Sequence, residues 1–143
     1  MTVDPARSAQ MALIRSRDTK PEMRVRRAMH AAGLRYVLHD RRLPGTPDLV
    51  FPSRRIAVHV HGCFWHQHPG CQHARMPKSR EDFWRSKFSQ NMERDARQES
   101  ELRALGWNVI TIWECETRDA DKILALVGRV RHESVGKHPK LAP

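Results

Sequence analysis

Positions 61–71 read HGCFWHQHPGC, a stretch that holds two cysteines, three histidines, two glycines and a Phe-Trp pair. Cys63, His68 and Cys71 have a C-x4-H-x2-C spacing, close enough in sequence to wrap one ion. Cys115, in the distant IWEC segment, can return as a fourth ligand. Three thiolates and one imidazole make a soft tetrahedral set that selects zinc over magnesium, and with no open position the ion would be structural. His61, His66 and His73 also lie within reach of such a site. The competing reading makes Cys115 a buried thiol and leaves the loop histidines solvated. A second group forms around Asp48, delivered by the double-proline turn LPGTPD to the start of an apolar run.

These residues need elements to position them. DLVF, PSRR and IAVHVH read as a β-hairpin with a loop of about four residues. In that register Asp48 faces His59, and alternation puts Asp48, His59 and His61 on one side of the sheet. DTKPE marks a helix start, with Thr19 as N-cap, Pro21 in the first turn and Glu22 at the capping-box position. Val25, Ala28, Met29 and Ala32 then follow at helical spacing over 20–32, on the face that also holds Glu22. A short helix is expected over 7–13 and an extended segment over 35–39. A long helix is expected to start near Ser79 and Asp82, draw apolar contacts from Phe83, Phe88, Met92, Leu102 and Leu105, and stop at Gly106, with room for a kink at 93–99. WNVITIWEC is apolar on both faces, the pattern of a central strand. A last helix spans 119–131, and the tail beyond about 133 is expected to be disordered.

At 143 residues the chain suits one domain, 1–143, and it needs no disulfides to close a core. A net charge of +10 favours a polyanionic partner, nucleic acid first. No apolar run approaches a membrane span. The N-terminal stretch lacks the apolar core of a signal peptide, so a cytoplasmic, nucleoid-associated location is expected, where three cysteines suit metal or buried thiols. Phe64, Trp65 and Trp84 on a basic, zinc-braced surface could wedge between base pairs, although core packing would also explain them. Arg75, Lys78, Arg80, Arg85, Lys87, Arg94 and Arg97 are candidate phosphate contacts.

The ordered set DTKPE, LPGTPD, HGCFWH, FW-x-x-K-x-x-x-N-x-x-RD, GW and IWEC, over about residues 16–118, resembles the very-short-patch-repair (Vsr) family of DNA mismatch endonucleases. The resemblance implies an α/β fold with a restriction-endonuclease-like core, a central mixed sheet flanked by helices and a structural zinc site. It also implies a magnesium-dependent nick on the 5′ side of the thymine in T:G mismatches, which arise when 5-methylcytosine deaminates. Asp48 matches the family's magnesium-binding aspartate and the Val60 carbonyl its second contact. Glu22, His61 and His66 match the accompanying acid and histidines. Cys63, His68, Cys71 and Cys115 match the zinc ligands, and Phe64, Trp65 and Trp84 the aromatics that enter the DNA stack. His59 matches no family role, and IAVHVH lacks the (D/E)xK half of the general restriction-enzyme motif.

In chemical terms, Asp48 and Val60 would hold Mg2+, and Glu22 and His61 would hydrogen-bond its waters. His66 is the candidate for proton transfer to or from the reacting oxygens. The expected partner is double-stranded DNA containing a T:G mismatch, met by a monomer whose first 17 residues form a DNA-contacting arm or short helix. Mismatch-repair proteins are candidate partners. Two other functions fit part of the pattern: a non-catalytic zinc-dependent DNA-binding module, and a restriction-type endonuclease on the same core. A carboxylate aimed at phosphate argues against the first.

Overall fold

The computed structural model describes residues 18–133. The helix expected at 7–13, the N-terminal arm and the tail from 134 onward lie outside that range. Three helices, α1 (Lys20–Ala31), α2 (Glu81–Ala104) and α3 (Ala120–His132), surround strands β1 (Val37–Leu38), β2 (Leu49–Phe51), β3 (Ile56–His61) and β4 (Asn108–Trp113). The strands form one mixed sheet in the order β1-β2-β3-β4. β1, β2 and β3 run antiparallel in succession, and β4 joins β3 in parallel. Among the described residues no helix is long and apolar enough to cross a membrane.

The sequence pattern explains most of these elements. Thr19 caps α1, its hydroxyl accepting the Glu22 N–H at 3.3 Å, and Pro21 occupies the first turn. Only half of the capping box forms, because the Glu22 carboxylate reaches back to the Asp18 N–H and not to that of Thr19. In the hairpin, the four residues 52–55 make the turn and the pairing Leu49↔Val58 is the expected register. Asp119 caps α3 through the N–H groups of Asp121 and Lys122.

Alternation then sorts the sheet's two faces. Leu49, Phe51, Ile56, Val58, Ile110 and Ile112 pack with Val25 and Met29 of α1 and Leu126, Val127 and Val130 of α3. The opposite face starts apolar, with Ala57 and Val109 under Leu102 of α2, and becomes polar along the same rows through His59 and His61 in β3 and Thr111 and Trp113 in β4. That polar half lies at the carboxyl ends of two parallel strands, where open α/β sheets bind ligands.

Four expectations need correction. β4 is an edge strand of the described sheet. Its two apolar faces arise because α1 and α3 cover one side and α2 the other, so the strand reads as buried without strands on both flanks. α2 is one uninterrupted helix from Glu81 to Ala104; its apolar pattern fades at 93–99 because Asp95, Gln98 and Glu99 line a cleft there. It starts at Glu81, after Arg80 in left-handed backbone with no side-chain cap, and not at Ser79. Of its expected apolar contacts, Phe88 and Leu102 are buried, whereas Phe83, Met92 and Leu105 are 47%, 50% and 53% exposed.

Candidate active site

The ladder between β3 and β4 builds the cysteine cluster. His61 pairs with Trp113, so Cys63 and Cys115, each two residues farther on, leave the sheet side by side, and the Cys115 N–H donates to Cys63 Sγ at 3.4 Å. A tight turn, in which the His68 N–H donates to the Cys63 carbonyl at 3.0 Å, swings His68 back over the pair. Its Nδ1 lies 3.7 Å from Cys63 Sγ and 3.5 Å from Cys115 Sγ. Gly70, at φ +73°, then turns the chain so that Cys71 closes the group. The four ligand atoms lie within 4.8 Å of one another. Tetrahedral zinc with bonds of about 2.0–2.3 Å needs ligand separations of roughly 3.3–3.8 Å, so the donor set fits that ion. Burial pushes the Cys63 thiol up to about 12, a cost that a bound cation would reverse by ionising it. Of the four nearby histidines, His68 is the one that joins the sulfurs; His61 and His66 turn to the cleft.

The cleft is open, about 1570 Å³ in volume, and lies between the sheet's polar half, α2 and the start of α1. Asp48 stands half-buried at its base, and its Oδ2 accepts the Val60 N–H at 2.7 Å. The N–H and C=O of one strand residue point toward the same neighbour, so the Val60 carbonyl faces the Asp48 side of β3. Burial raises the Asp48 carboxyl to about 6, with the Glu22 charge adding to the shift, while the Val60 N–H and the charges of His39 and His66 oppose it. A carboxylate strained in this way favours a cation beside it. The turn that delivers Asp48 is itself fixed: Gly45 has φ +76°, and a Cβ there would come within 2.8 Å of the Gln98 side chain.

Glu22 is 2% exposed and makes three contacts beyond its helix cap. Its Oε1 accepts from His39 Nε2 at 2.9 Å and from the Asp18 N–H at 3.3 Å, and its Oε2 lies 3.4 Å from Arg26 Nη1. The rings of His61 and His66 stack 3.8 Å apart and 4° from parallel. His66 Nδ1 lies 2.5 Å from Asp95 Oδ2. Burial, then the neighbouring His66 and His59, lowers His61 to about 3, so its imidazole is neutral near pH 7. Burial likewise lowers His59, whose ring is 5.2 Å from that of His61. For Asp95, burial acts upward but the hydrogen bond and charge of His66 outweigh it, and the carboxyl is lowered.

The aromatic residues of the same loop pack onto α2. Phe64 sits 5.1 Å from Phe88 and 5.6 Å from Trp84, edge to face, and Trp65 is 6.1 Å from Trp84. Phe64, Trp65 and Trp84 are all half-buried, so the free protein holds them as a surface cluster and not in the core. Buried Asn91 donates its amide to the Trp65 carbonyl at 3.1 Å. Of the basic residues, Lys87 and Arg94 line the cleft, while Arg75, Lys78, Arg80, Arg85 and Arg97 are exposed and do not line it.

Residues 2–73 match the family described as DNA mismatch endonuclease Vsr. A Xanthomonas oryzae protein named type II nicking enzyme V.XorIIP is 49% identical over 85% of this chain and 87% of its own length. DNA mismatch endonuclease Vsr of Escherichia coli is 41% identical over 82% of this chain and 74% of its own. The chain belongs to the Vsr family of DNA mismatch endonucleases. Its fold is also that of the catalytic domain of homing endonuclease I-Bth0305I, with a TM-score of 0.54 at 22% identity, covering 79% of this chain and 94% of that one.

For this Vsr-family endonuclease the structure brings Glu22, Asp48, Val60, His61 and His66 to the cleft, Cys63, His68, Cys71 and Cys115 to the cysteine cluster beside it, and Phe64, Trp65 and Trp84 to an aromatic cluster on α2. It adds three that sequence reasoning missed. Asp95 and Asn91 stand in the FW…N…RD motif, where four-residue spacing on one helix face could have paired them with the loop. His39 had no such signal, because its partner Glu22 is 17 residues away on another element.

Proposed function

We propose that this endonuclease nicks one strand of double-stranded DNA on the 5′ side of the thymine in T:G mismatches left by deamination of 5-methylcytosine, in a magnesium-dependent reaction carried out by a monomer. The observation that carries this reading is the shared cleft: Asp48 with the Val60 carbonyl, the His61–His66–Asp95 group and the Phe64-Trp65 pair all open onto it. Relatives named as nicking enzymes support a single-strand cut.

Asp48 and the Val60 carbonyl would hold Mg2+, which when bound polarises the scissile phosphate and makes water more acidic. Glu22 and neutral His61 would exchange hydrogen bonds with its hydration shell. Because a carboxylate only accepts, the Asp95 contact keeps the His66 hydrogen on Nδ1 and leaves Nε2 with its lone pair. His66 can therefore take a proton from the attacking water at Nε2, and Asp95 stabilises the imidazolium that results. Zinc on Cys63, His68, Cys71 and Cys115 would fix the loop that carries both His66 and the aromatic pair. Phe64, Trp65 and Trp84 would enter the stack beside the mismatch, where a weak pair lowers an unstacking cost of a few kcal/mol.

A strand-resolved cleavage assay on duplexes that differ only in T:G or C:G at one position, with magnesium or EDTA, tests this reading. A magnesium-dependent single nick beside the mismatched T is expected. Binding without a cut in any sequence context would favour a DNA-binding module, and cutting of both strands in the C:G duplex would favour a restriction-type enzyme.

A further inference from the structure

His39 follows β1 in left-handed backbone, at φ +47°, a conformation that is uncommon for a residue with a Cβ. The unusual backbone serves two contacts at once. The His39 N–H donates to the Asp48 carbonyl at 3.1 Å, and its Nε2 lies 2.9 Å from Glu22 Oε1. Its side chain is 11% exposed and stands behind the cleft, not among the residues that line it. Asp18, also left-handed at φ +66°, gives its N–H to the same Glu22 oxygen. One carboxylate oxygen of Glu22 is thus clamped by two residues in strained backbone.

Glu22 and Asp48 come from different elements, α1 and the turn before β2, and nothing in the sheet ladder sets their separation. Their like charges repel in the metal-free protein, and a shift of either would leave a hydrated cation with mismatched partners. We propose that His39 is a positioning residue that ties Glu22 to the Asp48 segment, so that the two carboxylates present a fixed pair to a divalent cation and its waters. This rests on the magnesium reading above. His39 touches neither the cation nor DNA; it acts through the two acids.

Two variants separate positioning from folding. His39→Asn tolerates left-handed backbone and keeps the N–H to Asp48, but its amide is too short to reach Glu22. His39→Gln has an N–H donor at nearly the reach of Nε2. The probe is Mn2+, titrated by electron paramagnetic resonance into the full chain bound to a T:G duplex with a non-cleavable linkage at the scissile position. Expected for His39→Asn is Mn2+ binding weakened by about 10-fold, the lower end of what losing an outer hydrogen-bond partner of a metal site costs. Zinc content, melting temperature and duplex affinity should match the parent protein, and His39→Gln should recover most of the loss. Mn2+ binding in His39→Asn equal to that of the parent protein would overturn the inference. So would a His39→Gln variant as weak as His39→Asn. Absence of Mn2+ binding in the parent protein would overturn the magnesium reading and this inference with it.

Discussion

The cysteine cluster and the carboxylate cleft lie a few residues apart and are built by opposite means. The cluster takes its geometry from the β3/β4 ladder, which places Cys63 and Cys115 two residues beyond the paired His61 and Trp113. Its four donors are three sulfurs and one imidazole, all within 4.8 Å of one another. The cleft draws Glu22 from α1, Asp48 from a turn, His61 from β3, His66 from the loop and Asp95 from α2, so its donors are carboxylates and imidazoles gathered from five separate segments. One face of Trp113 stacks on His68 at 4.2 Å, and its edge meets His61 at 5.3 Å, so a single ring joins the two regions. A structural ion needs closure, whereas a reacting ion needs free positions for water and phosphate, and the two regions differ in that respect.

The sharpest way to break the comparison is Asp48→Ala. It should lower nicking by at least about 10³-fold, since metal and charge stabilisation are lost together. Zinc content should be unchanged and DNA binding equal or tighter, read by filter binding on the same duplex. Asp95→Asn should come next, with a loss of about 10²-fold in the single-turnover nicking rate. An amide can donate to Nδ1 and so favour the wrong tautomer, which predicts normal metal dependence with a displaced pH profile. Cys115→Ala should act on the other region: zinc stoichiometry falls to zero and the melting temperature drops by about 10 °C or more, at roughly 3–6 °C per kcal/mol for a chain of this size. Nicking would fail there because the loop is lost, which circular dichroism separates from the Asp48 defect.

The smallest expected effect is one of pH. Because the Asp48 carboxyl is raised to about 6, the metal-free folded chain holds a proton between the ordinary carboxylate range and about pH 6 that the unfolded chain has released. That contribution to stability is therefore present below the ordinary range and lost as pH rises through about 6. Metal binding requires the ionised form, so magnesium affinity should weaken as pH falls below 6, whereas zinc-dependent stability should not follow that curve. Calorimetric melting at several pH values, with and without magnesium, reads both. Asp48→Asn should flatten the metal-free curve.

Legibility in the sequence followed the same division. Hairpin register, the cysteine cluster and the Thr19 cap of α1 were readable because turn chemistry and alternation act over a few residues. The edge position of β4 was not, since helices bury a strand's two faces as effectively as neighbouring strands do. The polar stripe on α2 looked like a weakened helix, yet it is the wall of the cleft. Phe83, Met92 and Leu105 were expected in the core, but apolar residues on an exposed helix face are ordinary in folded chains. Asp95, Asn91 and His39 depend on partners from distant elements, and only the packed structure shows those pairings.

Coupling of detection to cutting within one loop is most directly tested by Trp65→Ala, using single-turnover nicking of a T:G duplex that carries 2-aminopurine beside the mismatch. The expected result is loss of both the unstacking fluorescence rise and the nick, with zinc content and magnesium affinity unchanged. A variant that nicks at the parent rate without the fluorescence rise would contradict that coupling.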